Sequence, residues 1–396
     1  MDLILSPRRL RGTIEIIPSK SMAHRLLICA AYADAPTQLL CPESNRDIDA
    51  TVDCLRALGA EITRTECGFS VIPGNKISEE AVLNCCESGS TLRFLLPVVG
   101  ALGVNATFRM EGRLPQRPLS PLWEEMERMG CRLSRPTRDT LLCQGKLRPG
   151  EYEISGNVSS QYITGLLLAL SLLDSPSSMT ITGKIESAPY IQMTKEVLSL
   201  FGADPEHPGT RKLQSPGQIA VEGDWSNGAF WLTAIALGCD LNILGLKEDS
   251  VQGDRAVMDL LPRLQEGCPV ISAADIPDLV PVLSIGAASN HGTVFTNIQR
   301  LRLKESDRVA SVIAMIKGLG GNAFATEDTL TVAGGGLRGG TVDSANDHRI
   351  AMSAAVAAAV CKDPVILLGA DAVKKSYPQF WVEYARLGGS YEQYLR

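Results

Sequence analysis

Apolar residues in this chain gather into six stretches: SMAHRLLICAAYA, STLRFLLPVVGAL, SQYITGLLLALSLL, SNGAFWLTAIAL, DLVPVLSIGAAS and DHRIAMSAAVAAAV. Each is apolar nearly all round rather than along one stripe, so each predicts a helix that must be buried. A β-type run follows every one of them (PTQLLCPE, ATFRMEG, MTITGK, CDLNILGL, GTVFTNI, DPVILLGA), then a charged segment with the 3.6-residue rhythm of an amphipathic helix. Those segments close on an apolar residue and a glycine, at Gly59, Gly130, Gly202, Gly267, Gly320 and Gly388, with spacings of 71, 72, 65, 53 and 68. All six glycines are predicted to cap helix C-termini, where a left-handed backbone costs glycine nothing. Further β-type residues follow, as in AEITRTECGFSVIPG and GNAFATEDTLTVAGGG.

The helix openers Ser21, Ser90, Ser160, Ser226, Asp278 and Asp347 keep the same rhythm, with spacings of 69, 70, 66, 52 and 69. The shortfall falls between Gly267 and Asp278, which predicts a hairpin missing from the fourth unit. Six α-β-α-β-β units suggest two domains of three, helices inside and sheets outside. The opening segment LILSPRRLRGTIEI has no helix before it and is expected to complete the second domain. The boundaries are therefore placed at 20–223 and at 1–19 with 224–396, with the chain crossing near Ser19 to Lys20 and near Gly223.

Composition narrows the class. A chain of 396 residues, 45% apolar, 21% charged and formally -6, is a globular protein of about two domains. Its acidic balance argues against nucleic acid as a partner. The N-terminal MDLILSPRRLRG has only three apolar residues in a row, too few for a secretory leader. The stretches 165–173 and 350–360 are shorter than the ~20 residues of a membrane span. A cytoplasmic protein without membrane contact is expected. Eleven scattered cysteines without a CxxC pair, and four histidines away from any cysteine doublet, give no metal site, and the cysteines read as small core residues.

Candidate chemistry lies at the helix openings, where unpaired backbone N–H groups attract anions. Lys20, Arg25, Arg93 and Arg349 sit beside them, and Arg117, Lys304, Arg308 and Lys375 lie on junction loops. Any one could be a solvated surface residue. Together, in an acidic chain, they suggest a ligand with more than one anionic group. There is no GxxxxGK[ST] motif, and GGGLRGG at 334–340 reads as a loop. Two acidic residues carry catalytic potential: Asp278, which could equally be an N-cap, and Glu305, which could equally be a helix-start residue paired with a cation.

The segments PSKSMAHR, ESGSTLR, LPQRPLSPL, SGNVSSQYITGLL, ESAPYIQMT, QGD, IPD, RLKESDR, NDHRIAM and KKSYPQFW, in this order over the whole chain, resemble the EPSP synthase (3-phosphoshikimate 1-carboxyvinyltransferase) family. The resemblance implies a two-domain inside-out α/β barrel, each domain made of three βαβαββ units around buried helices. It also implies transfer of the enolpyruvyl group of phosphoenolpyruvate to the 5-hydroxyl of shikimate 3-phosphate, with release of phosphate, on the route to aromatic amino acids. Carried over residue by residue, it assigns shikimate 3-phosphate to Lys20, Ser21, Arg25, Ser159, Ser160, Gln161, Ser187, Asp278 and Lys304. Phosphoenolpyruvate falls to Lys20, Gly89, Arg117, Gln161, Arg308, Arg349 and Lys375. At Gly89 a Cβ would intrude where a small anion meets the backbone.

Addition and elimination through a tetrahedral ketal need a base for the hydroxyl and an acid for the vinyl carbon. Asp278 is the candidate base and Glu305 the candidate acid, with Lys20 and Lys304 stabilising the changing charge. These roles could exchange between the steps. No metal or organic cofactor is implied; the expected partners are the two small molecules, and the chain is expected to act as a monomer. Residues near Ser19 to Lys20 and Gly223 are expected to hinge as ligands draw the domains together. The chain departs from the family pattern at Glu87, where asparagine is common, at Arg300, where asparagine is frequent, and at Ala188, where a basic residue is frequent. The alternatives are the related UDP-N-acetylglucosamine enolpyruvyl transferase, whose loop cysteine is missing from GRLPQRPLSPL, and a non-catalytic sensor on the same scaffold, which would not need both carboxylates.

Overall fold

The computed structural model describes residues 1–74 and 78–394, and places twelve α-helices and twenty strands in them. The chain divides into two compact units, residues 18–222 and residues 1–17 with 223–396.

In the first unit the helices are α1 (Lys20–Ala31), α2 (Arg46–Ala57), α3 (Gly89–Leu102), α4 (Leu122–Arg128), α5 (Ser160–Leu170) and α6 (Ala188–Leu200). In the second they are α7 (Trp225–Ala236), α8 (Val257–Glu266), α9 (Val280–Ser289), α10 (Arg308–Gly318), α11 (His348–Ala358) and α12 (Phe380–Arg386). The six apolar stretches form α1, α3, α5, α7, α9 and α11, and nearly every residue of each is buried. The charged segments between them bury one stripe. In α2 the buried large residues Ile48, Val52 and Leu55, and in α8 Val257, Leu260, Leu261 and Leu264, follow helical spacing.

Four sheets repeat one strand order. In the first unit they are Gln218–Ala220, Thr37–Leu40, Gly68–Ile72, Glu61–Thr65, and Glu80–Asn84, Asn105–Arg109, Thr140–Gly145, Cys131–Thr137. In the second they are Val270–Ser272, Gly292–Thr296, Thr329–Ala333, Ala323–Ala325, and Gly340–Asp343, Val365–Leu368, Leu3–Ser6, Ser390–Gln393. The first two strands of each are parallel, joined in three of the four sheets through a buried helix, and the rest are antiparallel. Two parallel pairs complete the set, Glu151–Ser155 with Ser178–Thr182 and Asp240–Leu244 with Arg11–Glu15. Both N-terminal strands thus pair with strands of the C-terminal half, Leu3–Ser6 lying between Val365–Leu368 and Ser390–Gln393.

Three sequence expectations need correction. The fourth unit lacks its hairpin as expected, but the third lacks one too, since only Gln218–Ala220 is strand between α6 and α7. Five of the six closing glycines are left-handed, whereas Gly267 has φ -178°, extended backbone open to any residue. Only the short strand Val270–Ser272 separates that glycine from the approach to α9. Three of the six helices begin one residue before the openers chosen from sequence, and the capping side chains are Ser19, Ser88, Ser159, Asp224 and, as expected, Asp347. Asp278 caps nothing, because α9 starts at Val280 without a side-chain cap.

Candidate functional site

Residues 18–222 bring cations to the N-termini of α1 and α3. Ser19 caps α1 by accepting from the Met22 N–H at 3.4 Å, and the next residue, Lys20, pairs its Nζ with Asp47 Oδ2 at 2.8 Å. One turn on, Arg25 is only 2% exposed. Its Nε donates to Thr194 Oγ1 at 2.9 Å, Nη1 to the Ser21 carbonyl at 2.6 Å, and Nη2 to Thr164 Oγ1 and the Tyr190 carbonyl at 3.2 and 3.0 Å. The guanidinium also lies 5.0 Å from the centre of the Phe94 ring. Burial lowers its pKa to about 10 because these partners carry no formal negative charge. Thus Arg25 ties α1 to α5 and α6 from inside the helix layer.

The sharpest constraint is at Gly89. A Cβ there would lie 2.6 Å from Arg117 Nη1 and 2.7 Å from Arg93 Nη1, so two guanidinium groups converge on the first residue of α3. In the structure the missing Cβ makes room for the pair of arginines. Arg93 Nη1 donates to Gln161 Oε1 at 2.9 Å, and Gln161 Nε2 donates to Ser90 Oγ at 3.0 Å. Close helix packing sets this geometry: at Gly165 a Cβ would come within 2.2 Å of the Arg93 carbonyl, so only glycine lets α5 approach α3 there. Arg93, which the assignment by resemblance omitted, lies with Arg117 and Gln161 at Gly89, and its position beside a helix opening was the signal for it.

On α5, Ser159 caps the helix through the Gln161 N–H at 3.3 Å and Ser160 is buried. Ser187, immediately before α6, is buried with φ +57°, a strained conformation for serine that the fold maintains. Glu87 lies over Gly112, whose missing Cβ leaves room for the Oε1 atom, and it therefore leans on the turn before Arg117. Ala188 is exposed at the first position of α6.

The other unit answers with carboxylates. Asp278 accepts from Arg308 Nη1, forms an ion pair with Arg349 Nη2 at 3.2 Å, and lies 3.6 Å from Lys304 Nζ. Arg308, 1% exposed, also pairs with Glu305 at 2.8 Å and through Nε with Asp347 at 2.9 Å. Asp347 is wholly buried, takes a second bond from the Ser306 hydroxyl at 3.0 Å, and caps α11 through the Arg349 N–H at 3.0 Å. Three carboxylates and three cations are interleaved here. Burial alone would raise the carboxyl of Asp278, but Arg349, Lys304 and Arg308 outweigh it and hold that carboxyl well below the usual range. Burial lowers Lys304 to about 8, with Asp278 opposing and Arg308 and Arg300 adding to the fall. Lys375 donates to the Asn346 carbonyl at 2.9 Å, where Ala345 and Asn346 are both left-handed.

The structure therefore brings together Asp278, Lys304, Glu305, Arg308 and Arg349 in one unit, and Gly89, Arg117 and Gln161 with Arg93 in the other. Lys20 and Arg25 hold separate contacts on α1, and Lys375 holds the loop before α11. Glu305 keeps the ion pair that its helix-start position suggested. Among the described residues no group of three or more metal-ligating side chains occurs, and no helix is long and apolar enough to cross a membrane. All eleven cysteines are free thiols, eight of them buried.

The sequence pattern of EPSP synthase (3-phosphoshikimate 1-carboxyvinyltransferase) matches residues 4–383. The 3-phosphoshikimate 1-carboxyvinyltransferase of Clostridium kluyveri is 36% identical over 417 residues, 98% of each chain. That of Clostridium beijerinckii is 37% identical over 432 residues, 99% of each. In fold, the chain is similar to the solved EPSP synthase from Acinetobacter baumannii, with TM-score 0.80 and 22% identity over 99% of this chain and 100% of that one.

Proposed function

The chain belongs to the EPSP synthase family, and from that premise we propose how its residues carry the reaction. The enzyme transfers the enolpyruvyl group of phosphoenolpyruvate to the 5-hydroxyl of shikimate 3-phosphate in the shikimate pathway. The hydroxyl oxygen bonds to C2 of phosphoenolpyruvate while a proton is added to C3, giving a tetrahedral ketal. Loss of phosphate and of one C3 proton then leaves the enol ether.

In the proposal, shikimate 3-phosphate is held by Lys20, Ser21, Arg25, Ser159, Ser160, Gln161 and Ser187, with Asp278 and Lys304 at its hydroxyls. Phosphoenolpyruvate is held by Lys20, Gly89, Arg117 and Gln161, to which we add Arg93, and by Arg308, Arg349 and Lys375. Two converging guanidiniums suit a dianion, since charge-assisted and bidentate bonds to phosphate or carboxylate are the strong ones. Asp278 takes the hydroxyl proton and Glu305 supplies the proton to C3, with Lys20 and Lys304 stabilising charge. The observation that carries this reading is the threefold cationic clamp on Asp278. A carboxylate so clamped is a poor base, and anionic ligands that recruit Arg349 and Lys304 would release it and raise its proton affinity at the moment it is needed.

The reaction so drawn needs no metal or organic cofactor, because the leaving phosphate and the enol ether carry the reactivity. The proposal extends to a cytoplasmic monomer that binds neither nucleic acid nor membrane. Phosphate release measured with the two substrates together and singly tests the activity. Release that requires both supports it, and a protein that binds both ligands without releasing phosphate is a sensor instead.

A further inference from the structure

Two like-charged guanidiniums converging on Gly89 repel each other, so the fold must hold them there. Arg93 stands on a packed helix, but Arg117 arrives on the segment between Asn105–Arg109 and α4, whose backbone has to be fixed by other means. Pro118 confines the residue before it to extended backbone, and Arg117 accordingly has φ -74° and ψ 136°. The Arg117 N–H donates to the Leu114 carbonyl at 3.2 Å, and the buried side chains of Leu114 and Leu119 anchor the segment on either side. A further hold is on the Pro118 carbonyl. It accepts from the hydroxyl of Tyr162 on α5 at 2.5 Å and from Arg93 Nη2 at 3.3 Å, which occupies both of its lone pairs.

Tyr162 is wholly buried, and the Arg93 guanidinium lies 5.8 Å from the centre of its ring. One side chain thus serves both arginines: its hydroxyl holds the carbonyl of the residue after Arg117, and its ring attracts the Arg93 cation. Gln161, the residue before it, accepts from Arg93 Nη1, so consecutive residues of α5 engage the same guanidinium. We propose that Tyr162 is a positioning residue for phosphoenolpyruvate, keeping Arg93 and Arg117 converged before the anion arrives, so that gathering them is not a cost of binding. The inference rests on the reading that this pair takes phosphoenolpyruvate. Neither arginine is assigned to shikimate 3-phosphate, so that ligand should be indifferent to the change.

The test measures KM for phosphoenolpyruvate, kcat and the calorimetric affinity for shikimate 3-phosphate in the wild type, Tyr162→Phe and Tyr162→Leu. Tyr162→Phe keeps the ring and its packing and removes only the bond to Pro118. Its KM for phosphoenolpyruvate should rise about 3- to 10-fold, while kcat at saturating substrate and the affinity for shikimate 3-phosphate stay within about twofold. Tyr162→Leu also removes the ring beside Arg93 and should raise that KM further, by about 10- to 30-fold over the wild type. A merely structural tyrosine would lower the melting temperature of Tyr162→Phe without this split between the substrates. An unchanged KM for phosphoenolpyruvate in Tyr162→Phe overturns the proposal, as does an equal loss for both substrates, and this variant decides the matter alone if Tyr162→Leu does not fold. A wild type that releases no phosphate defeats the functional reading itself, and is thereby told apart from failure of this proposal.

Discussion

Arg25 and Arg308 are both almost wholly buried, one in each unit, at 2% and 1% exposure, yet their surroundings are opposite. Arg25 donates to two threonine hydroxyls and two carbonyls, and burial lowers its pKa to about 10. Arg308 touches three carboxylates, and although burial again works against its charge, Asp347, Glu305 and Asp278 together raise it well above the usual value. Burial by itself therefore says little about a charged group. What decides is whether its partners carry compensating charge, and the difference separates a cation that organises helices from one that organises reactive carboxylates.

The widest gap should appear on removing the charge. Arg308→Met strips buried Asp347 of its paired cation and Asp278 of one of its three, and should cost about 3–5 kcal/mol in urea unfolding. The pH dependence follows by sign. The carboxyls of Asp278 and Asp347 are held below their unfolded values, so the stability they add is present above about pH 4 and is lost as pH falls through the folded values. The variant should lose that acid-side slope. A smaller effect is expected at Gly89→Ala, where the Cβ must displace Arg117 or Arg93; kcat/KM for phosphoenolpyruvate should fall about 10- to 100-fold, or about 1.4–2.8 kcal/mol, with the melting temperature little changed. Smallest is Arg25→Met, about 1–2 kcal/mol in the same unfolding assay. Thr164 and Thr194 already bond to each other at 2.8 Å and would stay satisfied. A loss at Arg25 equal to that at Arg308 would erase the contrast between the two regions.

Much of this was legible in the chain. Helices apolar all round had to be buried, and the twofold spacing of openers and closing glycines exposed six units before any coordinates did. The missing hairpin of the third unit leaves no trace in the spacing because residues 203–217 fill nearly the length a hairpin would need while forming no strand. Gly267 reads as a left-handed cap because a glycine ending a helix looks the same in sequence whether its backbone turns left-handed or runs extended towards Pro269. The caps Ser19, Ser88 and Asp224 were passed over for nearby residues, since capping depends on where the backbone leaves the helix and several small polar residues lie within reach. Arg93 is legible as a cation beside a helix opening, but its convergence with Arg117 on Gly89 takes the third dimension to see.

The central claim is that Asp278, clamped by three cations, is the base of the enolpyruvyl transfer. Phosphate release by Asp278→Ala, with shikimate 3-phosphate affinity measured calorimetrically on the same protein, tests it most directly. The account predicts turnover lower by ~10² to 10⁴ with affinity retained within about tenfold. Turnover close to that of the wild type would contradict it.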